Sequence, residues 1–283
     1  MNSRQIDYVT HPSLKTPEVE LLSVVDLPRG NRVDFTTFFP YKPLRPLAPS
    51  SSRADVVYQL ADRPQTRLGA FHLIYERYLE AGLIEANPFQ LRVTPYHLQP
   101  KSVVFVGQKQ DEVTCTVSLI DDAELGLPIE RAYSREVERK RAEGLRLAEV
   151  SCLAFRTQQS KTRFWNSYLR LIRIMAQYAR FHGVDALMIA VHPRHLACHT
   201  RLMGFEQIGP VRTYPSVRNH LAVACCLEFA RVDREPPICY DAIFGQPLPA
   251  RQLAYRPISP MERIWLKPVA ACPGHDDLVA AVA

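Results

Sequence analysis

One carboxylate stands in the apolar run LRLAEVSCLAF, residues 145–155. The run is apolar on both faces of an alternating strand, the pattern of a strand covered on both sides. A carboxylate in such a strand costs several kcal/mol unless it is paired, or else its pKa rises. A carboxyl group with a raised pKa is a general base near neutral pH. Glu149 is therefore a candidate proton acceptor. The alternative is a buried ion pair with an arginine such as Arg77 or Arg92. Ser151, two positions on, either orients Glu149 or a substrate, or is a satisfied core hydroxyl. Strict alternation puts Leu145, Leu147, Glu149, Ser151, Leu153 and Phe155 on one face. Ala148, Val150, Cys152 and Ala154 then share the other, packed under helices.

Further on, His192, His195 and His199 follow the apolar segment DALMIAV, residues 185–191. The spacing of three between His192 and His195 suits two metal ligands. No third ligand completes a recognised signature, so no metal is expected.

The elements that must hold these groups form an alternating pattern. Residues 66–82 predict a helix, with Leu68, Phe71, Tyr75 and Tyr78 at helical spacing and Gly82 as its stop. Residues 102–108 and 113–120 predict a hairpin across the polar turn Lys109–Glu112. A charged helix over 130–143, the strand 145–155, a long helix over 161–182 and a buried strand over 185–191 follow. A short helix over 194–203, capped by Gly204, and strands near 206–213 and 221–229 complete the core. The long helix carries Trp165, Tyr168, Leu169, Ile172, Met175, Ala176 and Ala179 on a core face. Arg163, Arg170, Arg173 and Arg180 lie on the other face, either solvated or, with Arg156, a docking patch for an acidic partner. Residues 1–65 and 231–283 are rich in proline, which halts helix and sheet. Irregular chain is expected to about residue 55, and a C-terminal extension docked on the core by groups such as Tyr240, Ile243, Phe244 and Trp265. The expected divisions are 1–65, 66–230 and 231–283.

A chain of 283 residues buries a sizeable core without staples. The seven cysteines are scattered and odd in number, so reduced thiols in a cytoplasmic protein are expected. Cys225 and Cys226, neighbours on a strand, should face opposite ways. No apolar run is long enough to span a membrane, and the start does not read as a secretory signal. The net charge of +6 suits an acidic partner, whether a carrier protein, a nucleotide tail or a membrane surface. No basic run interleaved with aromatics points to nucleic acid.

Three segments carry a family resemblance. GLPIERAYSREVERKRAEGLRLAEVSCLAF (126–155) looks like the loop, helix and fourth strand of the long-chain N-acyl amino acid synthases, a branch of the GNAT superfamily. AVHPRHLACHTRLMGFEQIG (190–209) resembles the same family's histidine turn and Gly-Phe-Glu ending. FHLIYERYLEAGLI (71–84) resembles the first helix shared with acyl-homoserine-lactone synthases. The chain departs from the pattern at Ile74, where the family carries arginine, and at Cys198-His199, where it carries Phe-Tyr.

The resemblance, which covers roughly residues 66–230, implies an α/β fold. A mixed, mostly antiparallel sheet is flanked by helices, with a V-shaped splay between strands four and five. It also implies N-acyl transfer. A phosphopantetheine-linked acyl thioester lies in the splay, an amino acid supplies the amine, and Glu149 takes its proton. Backbone N–H groups near Leu153 and Ala154, freed by a bulge, would face the carbonyl oxygen. His192 would position chain or donor. His199 would protonate the leaving thiolate or serve as a structural helix residue. Asp121 and Asp122 are candidates for the acceptor pocket. Acetyl-CoA enzymes of the superfamily place a glycine-rich loop after strand four, but here RTQQSKTRF (156–164) has no glycine, which hinders close approach to a pyrophosphate. A single phosphate could sit at Ser160, Lys161, Thr162 and Arg163, at a helix N-terminus. This favours acyl carrier protein as donor over acyl-CoA. Two other readings stay open: an acyl-CoA-dependent acyltransferase, and a non-catalytic module that binds carrier protein or acyl ligand.

Overall fold

The computed structural model describes residues 56–156 and 160–272. The expected irregular leader up to about residue 55, residues 157–159 of the glycine-free loop and the last eleven residues lie outside the described residues.

Eight strands form the sheet: β1 (Val57–Leu60), β2 (Val103–Lys109), β3 (Glu112–Asp121), β4 (Leu147–Phe155), β5 (Ala186–Val191), β6 (Glu206–Gln207), β7 (Arg212–Tyr214) and β8 (His220–Glu228). Their order is β1-β2-β3-β4-β5-β8-β6, with β7 also paired to β8. Every pair is antiparallel except β4–β5. The parallel pair needs a crossover, which α3 (Lys161–Phe181) supplies. The other helices are α1 (Pro64–Glu80), α2 (Glu130–Ala142), α4 (Leu196–Cys198), α5 (Phe229–Arg234), α6 (Tyr240–Phe244) and α7 (Pro260–Ala270). This is the mixed α/β class expected. The sheet begins earlier than residue 66, because β1 pairs with β2 from Val57 onward.

Alternation along the strands sorts the core into two layers. On one face, Phe105, Val117, Ala148, Cys225 and Leu227 pack with Tyr168, Leu171 and Met175 of α3. On the other, Val104, Val106 and Ala154 meet Ala70, Phe71 and Ile74 of α1 and Leu266 and Val269 of α7. Beside them Leu147, Met188 and Cys226 meet Tyr133 and Val137 of α2. Cys225 and Cys226 do face opposite ways, and all seven cysteines are free thiols.

Several expectations shift. In α1 the buried stripe runs through Arg67, Ala70, Phe71 and Ile74, while Leu68 is exposed. The strand expected over 206–213 is split into β6 and β7. The helix over 194–203 is a composite: a short turn, α4, then a π-helical turn His199–Met203 that ends at Gly204 with φ +82°. A Cβ there would press on Pro237 and Val232.

The arginine face of α3 is divided: Arg163 is exposed, while Arg173 and Arg180 are held by the C-terminal extension. Residues 229–253 lie against this helix, and Leu171, Ile174 and Tyr178 are buried in addition to the expected core stripe. Arg180 pairs with Asp233 at 2.6 Å and stacks on Phe229 and Phe244. Arg173 donates to the Gln246 carbonyl, and Gln177 bonds Ile243 and Gln246 carbonyls and the Leu248 N–H. Arg156 is committed to Glu112 at 3.0 Å and Glu76 at 3.7 Å. Among the described residues, no helix is long and apolar enough to cross a membrane.

Candidate active site at the parting of two strands

The β4–β5 ladder has three rungs: Leu147↔Ala186, Ala148↔Leu187 and Glu149↔Met188. Beyond them β4 stays with β3 and β5 with β8. Val150–Phe155 and Ile189–Val191 thus flank an opening with no rung across it. This is the splay, and its edges carry backbone groups able to bind an extended ligand.

A bulge sits inside the opening. Ser118 pairs with Ser151 and Thr116 with Ala154, so Cys152 and Leu153 together oppose Val117. Cys152 takes φ +53°, the left-handed region. The extra residue leaves the ladder locally and reverses the alternation beyond it. Leu147 and Glu149 face α2, as expected, but Leu153 and Phe155 cross to the α3 face while Cys152 and Ala154 face α1. Strict alternation over 145–155 is therefore corrected at Cys152. The bulge occupies the segment that contains the Leu153 and Ala154 N–H groups.

Glu149 is 2% exposed. Its Oε2 accepts the N–H of Ile129 at 2.7 Å, and Ile129 is the N-cap of α2. The carboxylate thus caps that helix from a neighbouring strand, where the helix dipole favours negative charge. The local sequence builds this contact. Gly126 turns with φ +65° where a Cβ would strike Glu130, Leu127 and Ile129 are fully buried, and Glu130 Oε1 accepts the Leu127 N–H at 2.7 Å. Arg77 pairs with Glu80 at 2.8 Å, and Arg92 Nη2 donates to the Ser216 carbonyl at 3.0 Å.

Ser151 Oγ donates to Cys152 Sγ at 3.7 Å rather than to Glu149. Burial raises the Cys152 thiol, the Arg92 charge lowers it and the Glu149 charge raises it. Burial likewise raises the Tyr78 phenol, with Arg92 and Glu149 again acting in opposite directions. Glu149, Cys152, Tyr78 and Arg92 therefore form one electrostatic neighbourhood on the α1/α2 side of the sheet. Sequence reasoning treated Arg92 only as an ion-pair partner. Its signal was a charged residue between Leu91 and Val93 in a short segment closed by Pro88 and Pro95.

The other candidates lie apart from this group. His199 is on the α3 side, edge-on to Phe205 at 5.8 Å between ring centroids, and its Nδ1 is buried without a hydrogen-bond partner. Burial, with His195 assisting, pushes its pKa down to about 4. The buried setting thus favours the neutral imidazole. His192 is exposed at the end of β5 and accepts the Arg194 N–H at 3.3 Å. Burial lowers its pKa, with Arg194 and His220 adding to the effect. Leu153 is half-buried and Ala154 fully buried. Ser160 occupies the N-cap position of α3 without a side-chain capping bond. Lys161 begins the helix, and Thr162 and Arg163 are exposed in its first turn. Asp122 is held by Arg141 through two contacts, at 2.8 and 2.6 Å, which ties β3 to α2. Burial raises the Asp121 carboxyl.

A family model described as N-acyl amino acid synthase FeeM matches residues 69–228, more than half of the chain. The solved structure of FeeM, an N-acyl amino acid synthase from uncultured soil microbes, is 26% identical, with a TM-score of 0.56 over 66% of this chain and 97% of that one. The acyl-homoserine-lactone synthase LasI is 15% identical, with a TM-score of 0.53 over 69% of this chain and 98% of that one, a likeness of fold alone. No curated protein matches. The strand parting at Glu149, the bulge beside it and the matched segment agree: this chain belongs to the N-acyl amino acid synthase family represented by FeeM, and so to the N-acyltransferases.

Proposed function

We propose that the chain moves a medium- or long-chain acyl group from an acyl-carrier-protein thioester to the amine of an amino acid in the cytoplasm. The observation that supports this most directly is the end of the β4–β5 ladder at Glu149↔Met188. It opens an edge for a pantetheine arm next to a buried carboxylate.

In this scheme the amine nitrogen attacks the thioester carbonyl and its proton passes to Glu149. Negative charge develops on the carbonyl oxygen, which faces the backbone N–H groups near Leu153 and Ala154. The C–S bond then breaks with the electron pair going to sulfur, and the proton held by Glu149 ends on the thiolate. His199 enters as a neutral imidazole able to hydrogen-bond near the thiol, and Ser151 as a hydroxyl at the bulge. His192, at the mouth of β5, positions the donor.

Carrier protein is favoured over CoA by the glycine-free loop 156–164 and by the N-cap of α3, where Ser160 leaves first-turn N–H groups unfilled for a single phosphate. Lys161, Thr162 and Arg163 complete that turn. The test is mass spectrometry of lipids from a host expressing the chain, followed by purified assays with acyl carrier protein and with acyl-CoA carrying the same chain. A new N-acyl amino acid, and turnover at least about tenfold better with the carrier-protein donor, is expected. Equal use of acyl-CoA overturns the donor assignment, and absence of any acylated amine overturns the reaction.

A further inference from the structure

We propose that Arg92 is the anchor for the free carboxylate of the acceptor, so that the enzyme selects α-amino acids over amines of the same shape. The inference rests on the acyl-transfer reading and deepens it.

Arg92 is 3% exposed, yet among the described residues its guanidinium has no carboxylate partner. Nη2 donates to the Ser216 carbonyl at 3.0 Å, while Nε and Nη1 are buried and have no hydrogen-bond partner. The group lies 5.2 Å from the centroid of the Tyr78 ring, which fixes its plane. A guanidinium stays charged under all ordinary conditions, and a buried charge with idle donors is costly unless an anion completes it. The Ser216 hydroxyl, on the residue whose carbonyl Arg92 holds, is a second buried group with no partner. The two idle groups thus lie together, and the planar fork of the arginine suits a carboxylate.

Position identifies which carboxylate. Arg92 lies over the Tyr78 ring, Tyr78 packs on the cluster that holds Cys152 at the bulge, and Glu149 stands three residues before Cys152 on the same strand. An acceptor with its amine toward Glu149 and its carboxylate toward Arg92 would span this neighbourhood, as an α-amino acid can with one carbon between the two groups. The donor's phosphate is another anion that a guanidinium could bind. The kinetics separate the two sources.

The test uses the full chain, an acyl-carrier-protein thioester, and three forms of each acceptor: the L-amino acid, its C-terminal amide and the decarboxylated amine. The expected result is a kcat/KM on the order of 100-fold higher for the free acid than for the amide or amine. Arg92→Met should remove that preference by raising the KM for the free acid far more than for the amide or amine, while the donor KM does not rise. Arg92→Lys, which keeps the charge and loses the fork, should fall between and serves if the methionine variant does not fold. Equal use of acid and amide by the unmodified chain overturns the proposal, as does a variant whose donor KM rises instead. Thermal-shift titration with the free amino acids separates this failure from that of the reaction itself. Acids that stabilise the unmodified chain but not Arg92→Met support the anchor even where no acyl transfer is seen.

Discussion

Glu149 and Met188 form the last rung between β4 and β5, and the carboxylate at that rung caps α2 through the Ile129 N–H at 2.7 Å. A glutamine at the same position keeps an oxygen for that N–H and loses the ability to take a proton. Glu149→Gln should therefore lower kcat by roughly 10²–10⁴-fold with little change in unfolding temperature. Steady-state turnover beside thermal unfolding checks this, and undiminished turnover removes Glu149 from the chemistry.

The bulge makes a second prediction. Cys152 holds φ +53°, where a side chain branched at Cβ is strained and glycine is at ease. Cys152→Val should cost about 1–3 kcal/mol and weaken turnover by straightening the strand. Cys152→Gly should keep the bulge and most activity. Denaturant unfolding and rates on the two variants decide the matter; identical behaviour would mean that the turn is held by something other than local backbone preference.

Arg67 of α1 and Glu262 of α7 form a buried pair, with Nε to Oε1 at 2.6 Å and a second contact through Nη2. Glu262→Ala leaves a buried guanidinium uncompensated and should cost about 3–5 kcal/mol. The double change Arg67→Met with Glu262→Leu should recover much of that loss. Urea midpoints for the three proteins measure it.

His199 sets a pH dependence of stability. Its folded pKa of about 4 lies below the usual histidine value of 6.5, so between those limits the unfolded chain binds the extra proton. Stability contributed at this site is intact above about pH 6.5 and falls as pH drops toward 4, by on the order of 3 kcal/mol. His199→Phe should flatten that part of the profile. An unchanged slope in denaturant titrations from pH 7 to 4 would contradict the assignment.

Much of the fold was legible in the sequence because its central elements are strongly patterned. The apolar run at 145–155 and the helical stripe of α3 announce themselves within a few residues of their observed bounds. What was hidden depends on partners far along the chain. The bulge is invisible to a two-residue period, and nothing in the sequence near Cys152 marks a left-handed turn there. Arg173 and Arg180 of α3 look solvated until residues 229–248 are seen to hold them. Arg92 sits in a loop without periodicity, and its importance emerges only when Tyr78 and Cys152 are brought around it from α1 and β4.

The second coat on α3 bears on how the protein is handled. The matched family segment stops at residue 228, before the stretch in which Asp233, Ile243, Gln246 and Leu248 grip that helix. A version trimmed to the family boundary would show water a helix flank built for contact and would strip α1 of its buried counter-ion. The smallest piece worth expressing therefore extends to the end of α7, and shorter fragments are candidates for clumping rather than catalysis.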